Sequence, residues 1–272
     1  MKINLIELFE ETVKRYPQKV AVIDKDREIT FSALHQQSLR LASRLISMGI
    51  AQNKPVGVFL DKSIESVYAN LGILYAGDFY MNLDIKTPAE RIRNIIQLVE
   101  PAAIISTTRQ IKPIEGIIPS TTQVILLDEA DETADVDATA ILRRLSTIID
   151  TDPSCIINTS GSTGTPKGVV LNHKSFFDFI DWALDTFHFG DDLVMGSLSP
   201  IVFDIYSFEL CMLMTKASTL VVLPAHLAAF PAKILEVLEK HQVTELRFSV
   251  PSPQPLQEQL RCVPPRPHLY PM

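Results

Sequence analysis

The sequence contains few cysteines and no pair of them at a metal-binding or redox spacing. Its 272 residues include three cysteines, Cys155, Cys211 and Cys262, which lie far apart and form no C-x-x-C motif. This usage is typical of a cytoplasmic protein with reduced thiols rather than of a small secreted domain held by disulfides. Cys155 and Cys211 lie in apolar runs, so we expect both to be small core residues.

Long apolar runs and blocks of like charge are also missing. The N-terminus has no apolar stretch of the secretory type, and no run reaches the roughly 18–20 residues that a membrane span needs. The formal net charge is −7, with 46% hydrophobic and 21% charged residues. These values are ordinary for a globular protein and argue against a nucleic-acid or membrane partner. We therefore expect a cytoplasmic protein that binds any anion through a local device.

Short apolar runs of strand type alternate with amphipathic helical patterns as far as residue 250. Several strand segments are apolar throughout rather than alternating, which indicates a parallel sheet covered on both faces. The sequence therefore predicts an α/β fold of mostly parallel sheet layers with helices on both faces. The predicted strands are VAVID, PVGVFL, AAIIST, QVILLDE, SCIIN, DLVMGSL, STLVVLP and TELRFSV.

Helix boundaries carry their own signals. Gly49 is predicted to end the helix of TFSALHQQSLRLASRLISM, and Gly190 to end the helix of SFFDFIDWALDTF. In KTPAERIRNIIQLVE, Thr87 is predicted as N-cap, Pro88 as the first helical residue and Glu90 as the partner in a capping box.

The last 22 residues differ from the rest. Residues 251–272 hold seven of the 18 prolines and show no hydrophobic periodicity. Such a segment forms neither central strands nor helix interiors. We expect residues 1–250 to form the folded region and residues 251–272 to be a disordered or unrelated tail. The fold is predicted to be incomplete at its C-terminus, through truncation or a shifted reading frame.

The stretch TSGSTGTPKG, residues 159–168, follows the apolar run CIIN with five hydroxyl side chains, three glycines and one lysine. We expect a loop between a strand and a helix, where curled backbone N–H groups converge on an anion. The Walker A motif fails because Pro166 precedes Lys167 and Gly168 follows it. The dinucleotide motif fails on glycine spacing. A water-facing surface loop is the alternative, but it has no need of an ordered T-P-K-G. The stretch predicts a polyphosphate site.

Three segments together resemble the adenylate-forming, AMP-binding enzyme family. TSGSTGTPKG matches the family signature over ten ordered residues, and ITFSAL resembles an early family segment. LYAGDFYMNLDIKTPAERI resembles a block of the amino-acid-activating branch, the adenylation domains of non-ribosomal peptide synthetases. The segments occur in the expected order, so the resemblance covers about residues 5–250.

The resemblance implies a two-step reaction with ATP and Mg²⁺. A substrate carboxylate attacks the α-phosphate, pyrophosphate leaves, and the acyl group passes from the adenylate to a thiol, often the pantetheine of a carrier protein. Lys167 and His173 are the implied catalytic residues, and His173 is expected near the entrance of the acyl pocket. The alternative interpretation of His173 is a residue that only starts a helix. The implied phosphate-binding residues are Thr159, Ser160, Gly161, Ser162, Thr163, Gly164, Thr165 and Lys167.

The stretch SPIVFDIYSFEL places one carboxylate among apolar residues, where it needs a cationic partner. In amino-acid-activating members of the family, the F-D pair meets the α-ammonium group of the substrate. The resemblance therefore implies that Phe203 and Asp204 bind the substrate and that Ile205 and Phe208 line its side-chain pocket. The alternative for Asp204 is a helix N-cap. Amino acid is favoured over fatty acid.

The chain departs from the family pattern after residue 250. It has no N-x-Y-G-P-T-E-like segment, no ribose-binding aspartate and no small C-terminal domain with a catalytic lysine, so neither adenine contacts nor a metal ligand are predicted. We expect weak or absent activity of the isolated chain. Two other functions stay open: a fragment of a carboxylic acid–CoA ligase, and a non-catalytic remnant that acts only as a binding protein.

Overall fold

The computed structural model describes residues 2–129, 135–160, 166–187, 189–190 and 192–247. Two sheets and nine α-helices lie within these residues. The strands are β1 (Val20–Asp24), β2 (Arg27–Thr30), β3 (Pro55–Phe59), β4 (Phe79–Leu83), β5 (Ala103–Ser106), β6 (Gln123–Leu126), β7 (Pro153–Ser160), β8 (Pro166–Asn172), β9 (Val194–Ser197), β10 (Thr219–Val222) and β11 (Glu245–Arg247). The helices are α1 (Leu5–Arg15), α2 (Phe31–Ser47), α3 (Ile64–Tyr75), α4 (Ala89–Val99), α5 (Thr108–Ile111), α6 (Ala138–Leu145), α7 (His173–Thr186), α8 (Asp204–Lys216) and α9 (Pro231–Lys240).

Both sheets are mostly parallel. The first sheet has the order β11-β9-β10-β1-β2, and the second has the order β6-β5-β3-β4-β7-β8. Within the described part of the chain, the antiparallel strands are β2 in the first sheet and β8 in the second, each paired with its predecessor in sequence. The α/β fold with mostly parallel layers is confirmed.

The main core lies between the two sheets, around α1, α2, α3, α7 and α8. In the second sheet, Val56, Val58 and Tyr80 face this central layer, whereas Phe59 and Met81 face the opposite side and pack with α4. A third core joins α9 to the outer face of the first sheet. Strands buried on both faces must be apolar at every position, which is why they show no alternation.

Helix α8 is buried on nearly its whole circumference. Every residue from Ile205 to Met214 is buried. A helix that is apolar all round belongs inside a protein rather than on its surface. α8 therefore brings its first residue, Asp204, to a fixed position at the edge of the core.

Some local predictions are confirmed and others are wrong. Gly49 follows the end of α2 with φ of +75°, as expected for a glycine stop. α7 ends at Thr186 rather than at Gly190, because Phe187 adopts extended backbone angles. The sequence patterns did not predict strands β2, β4 and β8, and β8 lies between the expected loop and the helix predicted from Ser175.

The predicted capping box of α4 is also wrong. Pro88, with ψ of 139°, is the N-cap, and no side chain caps this helix end. Glu90 forms an ion pair with Arg93 instead of turning back to the N-cap. Because Pro88 itself has an extended ψ, the helix begins at Ala89, and Thr87 stands one residue too early to cap it.

Residues 251–272 lie outside the described residues, so the prediction of a separate tail stays a prediction. In the described part of the chain, no helix is both long enough and apolar enough to cross a membrane.

Candidate active site

The two described ends of the hydroxyl-rich stretch belong to the paired strands of a β-hairpin. β7 and β8 pair in antiparallel fashion, with Thr159 opposite Lys167 and Ser160 opposite Pro166. The expectation that the loop leads into a helix is wrong: β8 follows it, because the β-branched pair Val169 and Val170 continues the strand.

Residues 161–165, which include Gly161, Ser162, Thr163, Gly164 and Thr165, lie outside the described residues. The two ends of the loop are described. Thr159 Oγ1 donates to the backbone oxygen of Lys167 at 3.4 Å, and Lys167 itself is exposed. The ammonium group of Lys167 thus stands at the carboxyl end of β7, available to a ligand from solvent.

Asp204 is the first residue of α8. The N-cap is Phe203, and no side chain makes a capping hydrogen bond there. Asp204 Oδ1 accepts a hydrogen bond from the N–H of the next residue, Ile205, at 2.9 Å, and the side chain is exposed. The N-cap interpretation of Asp204 is therefore wrong. Its carboxylate lies in the first turn of a helix and is open to a cation.

Beside Asp204 lies a cavity of about 290 Å³ between the β7–β8 hairpin, α7 and α8. The cavity is mostly apolar, and its described polar lining consists of the Asp204 carboxylate and two serine hydroxyls. Among the predicted substrate residues, the structure brings Asp204 and Phe208 to this cavity. Ile205 is buried without lining it, and Phe203 is 44% exposed beside its mouth. The described lining residues are Ile157, Leu171, Ser175, Phe176, Phe179, Asp204, Ser207 and Phe208.

His173 occupies a different environment. It is buried, at 2% exposure, and its Nδ1 accepts a hydrogen bond from the N–H of Leu5 at 3.3 Å. Burial lowers the pKa of His173 to about 4, against the opposing attraction of Asp152 and Asp150. The ring is therefore neutral and joins the start of α7 to the start of α1. It is not among the described residues that line the cavity, so its catalytic role stays a prediction.

Sequence reasoning missed a polar cluster formed by Lys62, Ser197 and Glu209. Lys62, in the loop between β3 and α3, donates from Nζ to the backbone oxygens of Ser197 and of Ser199, the latter at 2.9 Å. The Ser197 hydroxyl donates to Glu209 Oε2 on α8. Glu209 is fully buried. The only signal in the sequence was a lone glutamate inside an otherwise apolar helix.

Burial shifts the pKa values of this cluster in opposite directions. It lowers the pKa of Lys62 to about 8, although Glu209 and Asp61 oppose the shift. It raises the pKa of Glu209 to about 7, against the attraction of Lys62 and the hydrogen bond from Ser197. The described residues contain no group of three or more histidine, cysteine or carboxylate side chains placed to hold a metal ion.

Comparisons with known proteins define the class. The family model described as "AMP-binding enzyme" matches residues 9–252. The chain belongs to the AMP-binding enzyme family.

Relatives within the family are non-ribosomal peptide synthetases. Tyrocidine synthase 1 of Brevibacillus parabrevis is 31% identical over 220 residues, which cover 81% of this chain and 20% of that synthase. Zwittermicin A synthase ZmaJ of Bacillus cereus is 28% identical over 90% of this chain and 45% of its own length. The chain thus spans between a fifth and under a half of these two relatives.

Solved structures agree with the fold. The non-ribosomal peptide synthetase FmoA3 superposes with a TM-score of 0.80 at 25% identity, over 96% of this chain and 27% of that one. FmoA3 has been solved in an AMPPNP-bound form and in an α-methyl-L-serine-AMP bound form. A fatty acyl-adenylate ligase from L. pneumophila superposes with a TM-score of 0.76 at 20% identity, a likeness of fold alone.

Proposed function

We propose that this chain binds an amino acid through Asp204 and takes part in activating its carboxyl group with ATP as an acyl-adenylate. One observation carries the proposal: an exposed carboxylate stands at the mouth of an apolar cavity. The α-ammonium group of an amino acid pairs with the carboxylate while its side chain enters the cavity. Family membership and the adenylate-bound form of FmoA3 support the reaction type.

The lining of the cavity favours an amino acid with an apolar side chain. Three phenylalanines, Phe176, Phe179 and Phe208, form much of its wall, and Asp204 at the mouth is its charged group among the described residues. A charged or amide side chain would lose its hydration there with only two serine hydroxyls, Ser175 and Ser207, to replace it. The pocket therefore prefers an aliphatic or aromatic side chain.

In the reaction, a carboxylate oxygen of the amino acid forms a bond to the α-phosphorus of ATP, and the bond to the pyrophosphate oxygen breaks. Asp204 holds the ammonium end of the substrate and so orients the carboxylate for attack. Residues 159–167, with the Lys167 ammonium, offset charge on the β- and γ-phosphates as pyrophosphate leaves. Mg²⁺ bound to the phosphates of ATP would neutralise further phosphate charge. We further propose that the activated acyl group passes to the pantetheine thiol of a carrier protein.

The decisive experiment compares two ligands that differ in one ammonium group. Phenylalanine and 3-phenylpropionate are titrated into the protein by calorimetry, with the wild type and with Asp204→Asn. We expect the substitution to weaken phenylalanine binding about tenfold, because a charge-assisted hydrogen bond is lost, and to leave 3-phenylpropionate unchanged. Asp181→Asn, which makes the same change at an exposed position on α7, is the matched control.

Each result separates the functions in view. Equal affinity of the wild type for both ligands would show that the ammonium group is not recognised. The substrate would then be a simple carboxylic acid, which favours the function of a CoA ligase. Binding of neither ligand would remove substrate recognition from this cavity. ATP–pyrophosphate exchange with a panel of apolar amino acids then tests turnover.

A further inference from the structure

Lys62 connects the two sheets at their carboxyl ends. It follows β3 of the second sheet, and its ammonium group donates to Ser197 O at the end of β9 in the first sheet and to Ser199 O two residues later. Ser197 O also accepts the N–H of Leu223, at the end of β10. One lysine thus satisfies two backbone oxygens that lie more than 130 residues away in sequence.

Glu209, on α8, lies at the other end of the segment that runs from Ser199 through Asp204. Its Oε2 accepts the hydroxyl of Ser197, and the charge of Glu209 attracts Lys62. Glu209 is fully buried on α8, five residues after Asp204, and Ser199 is buried five residues before it. Asp204 therefore stands midway between two points held by one polar cluster.

The segment between these points needs such support. Residues 198–203 form neither helix nor strand. Within the described part of the chain, the Asp204 side chain accepts a hydrogen bond only from the N–H of its neighbour Ile205. A turn is closed by Phe203 N–H donating to Pro200 O at 3.1 Å. Without Lys62, the backbone oxygens of Ser197 and Ser199 would lose their cationic donor, and the turn that carries Asp204 would gain freedom.

We propose that Lys62 is a positioning residue that fixes the segment from Ser199 to Glu209 and so holds the Asp204 carboxylate at the mouth of the cavity. The inference rests on the proposed function, because it assigns Lys62 to the geometry of amino-acid binding. Lys62 does not itself touch the substrate. Its effect reaches Asp204 through the backbone of the turn, in the way that supporting residues hold a binding group to within a fraction of an ångström.

Lys62→Met is the main test, because methionine keeps the apolar length of the side chain and removes its charge and donors. We expect phenylalanine affinity to fall about fivefold to tenfold, and the affinity for a non-hydrolysable ATP analogue to stay within about twofold. Lys86→Met is the matched control: Lys86 is exposed and, together with Lys62, lines a separate cavity of about 290 Å³ at the carboxyl ends of the two sheets. Equal losses for both ligands, or an equal loss in the control, would overturn the proposal.

Two further measurements keep the test decisive. If Lys62→Met folds poorly, the double variant Lys62→Met, Glu209→Gln removes both buried charges and is expected to regain stability without regaining phenylalanine affinity. Recovery of full phenylalanine affinity by the double variant would show that Lys62 and Glu209 contribute only to the stability of the fold.

Hydrogen exchange measured by mass spectrometry requires no ligand and separates this inference from the proposed function. In Lys62→Met, the amides of residues 198–204 are expected to exchange at least several-fold faster than in the wild type, with β1 unchanged. Unchanged exchange in that segment would overturn the positioning role even if amino-acid binding is found. Faster exchange in a protein that binds no amino acid would support the positioning role of Lys62 and contradict the proposed function.

Discussion

At the scale of single residues, two side chains assigned to one site have opposite environments. Asp204 is exposed, and among the described residues its carboxylate accepts a hydrogen bond only from the adjacent N–H of Ile205, so it is open to a ligand. His173 is buried and neutral, and its Nδ1 is occupied by Leu5 N–H. The first environment suits recognition of a cation, and the second suits the joining of two helices.

The contact of His173 gives a stability prediction. His173→Ala leaves the Leu5 N–H without its acceptor and a small void, so we expect the free energy of unfolding to fall by about 2–3 kcal/mol. His173→Asn keeps an acceptor near the position of Nδ1 and should lose clearly less. Urea denaturation of both variants checks this. An alanine variant as stable as the wild type would show that the bond to α1 contributes nothing.

Lys167 gives a prediction of the opposite kind. It is exposed on β8, so Lys167→Ala should change the free energy of unfolding by no more than about 0.5 kcal/mol. The affinity for an ATP analogue should fall about tenfold through the loss of one charge-assisted contact. Lys174→Ala, at an exposed lysine paired with Asp178 on α7, serves as control in the same calorimetric titration. Equal affinities of the two variants for the ATP analogue would show that Lys167 does not take part in nucleotide binding.

At the scale of elements, the central layer depends on a close approach of α2 and α3. A Cβ on Gly72 of α3 would stand 2.9 Å from the backbone oxygen of Ser38 and 3.0 Å from Leu41 on α2. Backbone cannot give way as a flexible side chain does. The two helices are therefore packed at a distance that only glycine allows.

Gly72→Ala is accordingly expected to destabilise the protein by about 1–3 kcal/mol, although alanine favours helices, because the two helices must move apart. Gly116→Ala is the matched control, since a Cβ there meets nothing within 4 Å. Chemical denaturation of the two variants measures the difference. A Gly72→Ala protein at least as stable as the wild type would mean that α3 shifts without cost.

The hairpin of β7 and β8 is the element that sequence reasoning placed wrongly. The glycine and hydroxyl residues predict a loop that leads into the helix of SFFDFIDWAL, with no strand between them. The apolar run that follows Gly168 pairs with Ile156 and Ile157 across the hairpin instead. Local pattern could not decide this, because a short apolar run fits a strand and a helix equally well.

At the scale of the whole molecule, buried ionisable groups set the pH dependence of stability. Burial raises the pKa of Asp78, Glu209 and Glu245 to about 7 each. Between their ordinary values and 7, the folded state keeps protons that the unfolded state has released, so stability falls as the pH rises through this window. His173, with its pKa lowered to about 4, acts in the opposite sense between pH 6.5 and 4.

We therefore expect the urea midpoint to be higher at about pH 6 than at about pH 8, because three carboxyl groups outweigh one histidine. Asp78→Asn, which replaces one of these carboxyls by a neutral group of the same shape, should reduce the difference between the two pH values. Denaturation curves of both proteins at both pH values check the sign. A wild-type midpoint that rises toward pH 8 would contradict the burial of these groups.

The sequence by itself determined the class of fold and the family, and it supplied the predictions that residues 159–168 bind polyphosphate and that Asp204 binds the substrate. These follow from local features: apolar strands buried on both faces, helical periodicity, and ordered short motifs. Only the tertiary structure decided that Lys62 meets Ser197 and Ser199, that His173 meets Leu5, and that Asp204 borders a cavity. Parallel sheets bring together residues far apart in sequence, and no local pattern records which strands will be neighbours.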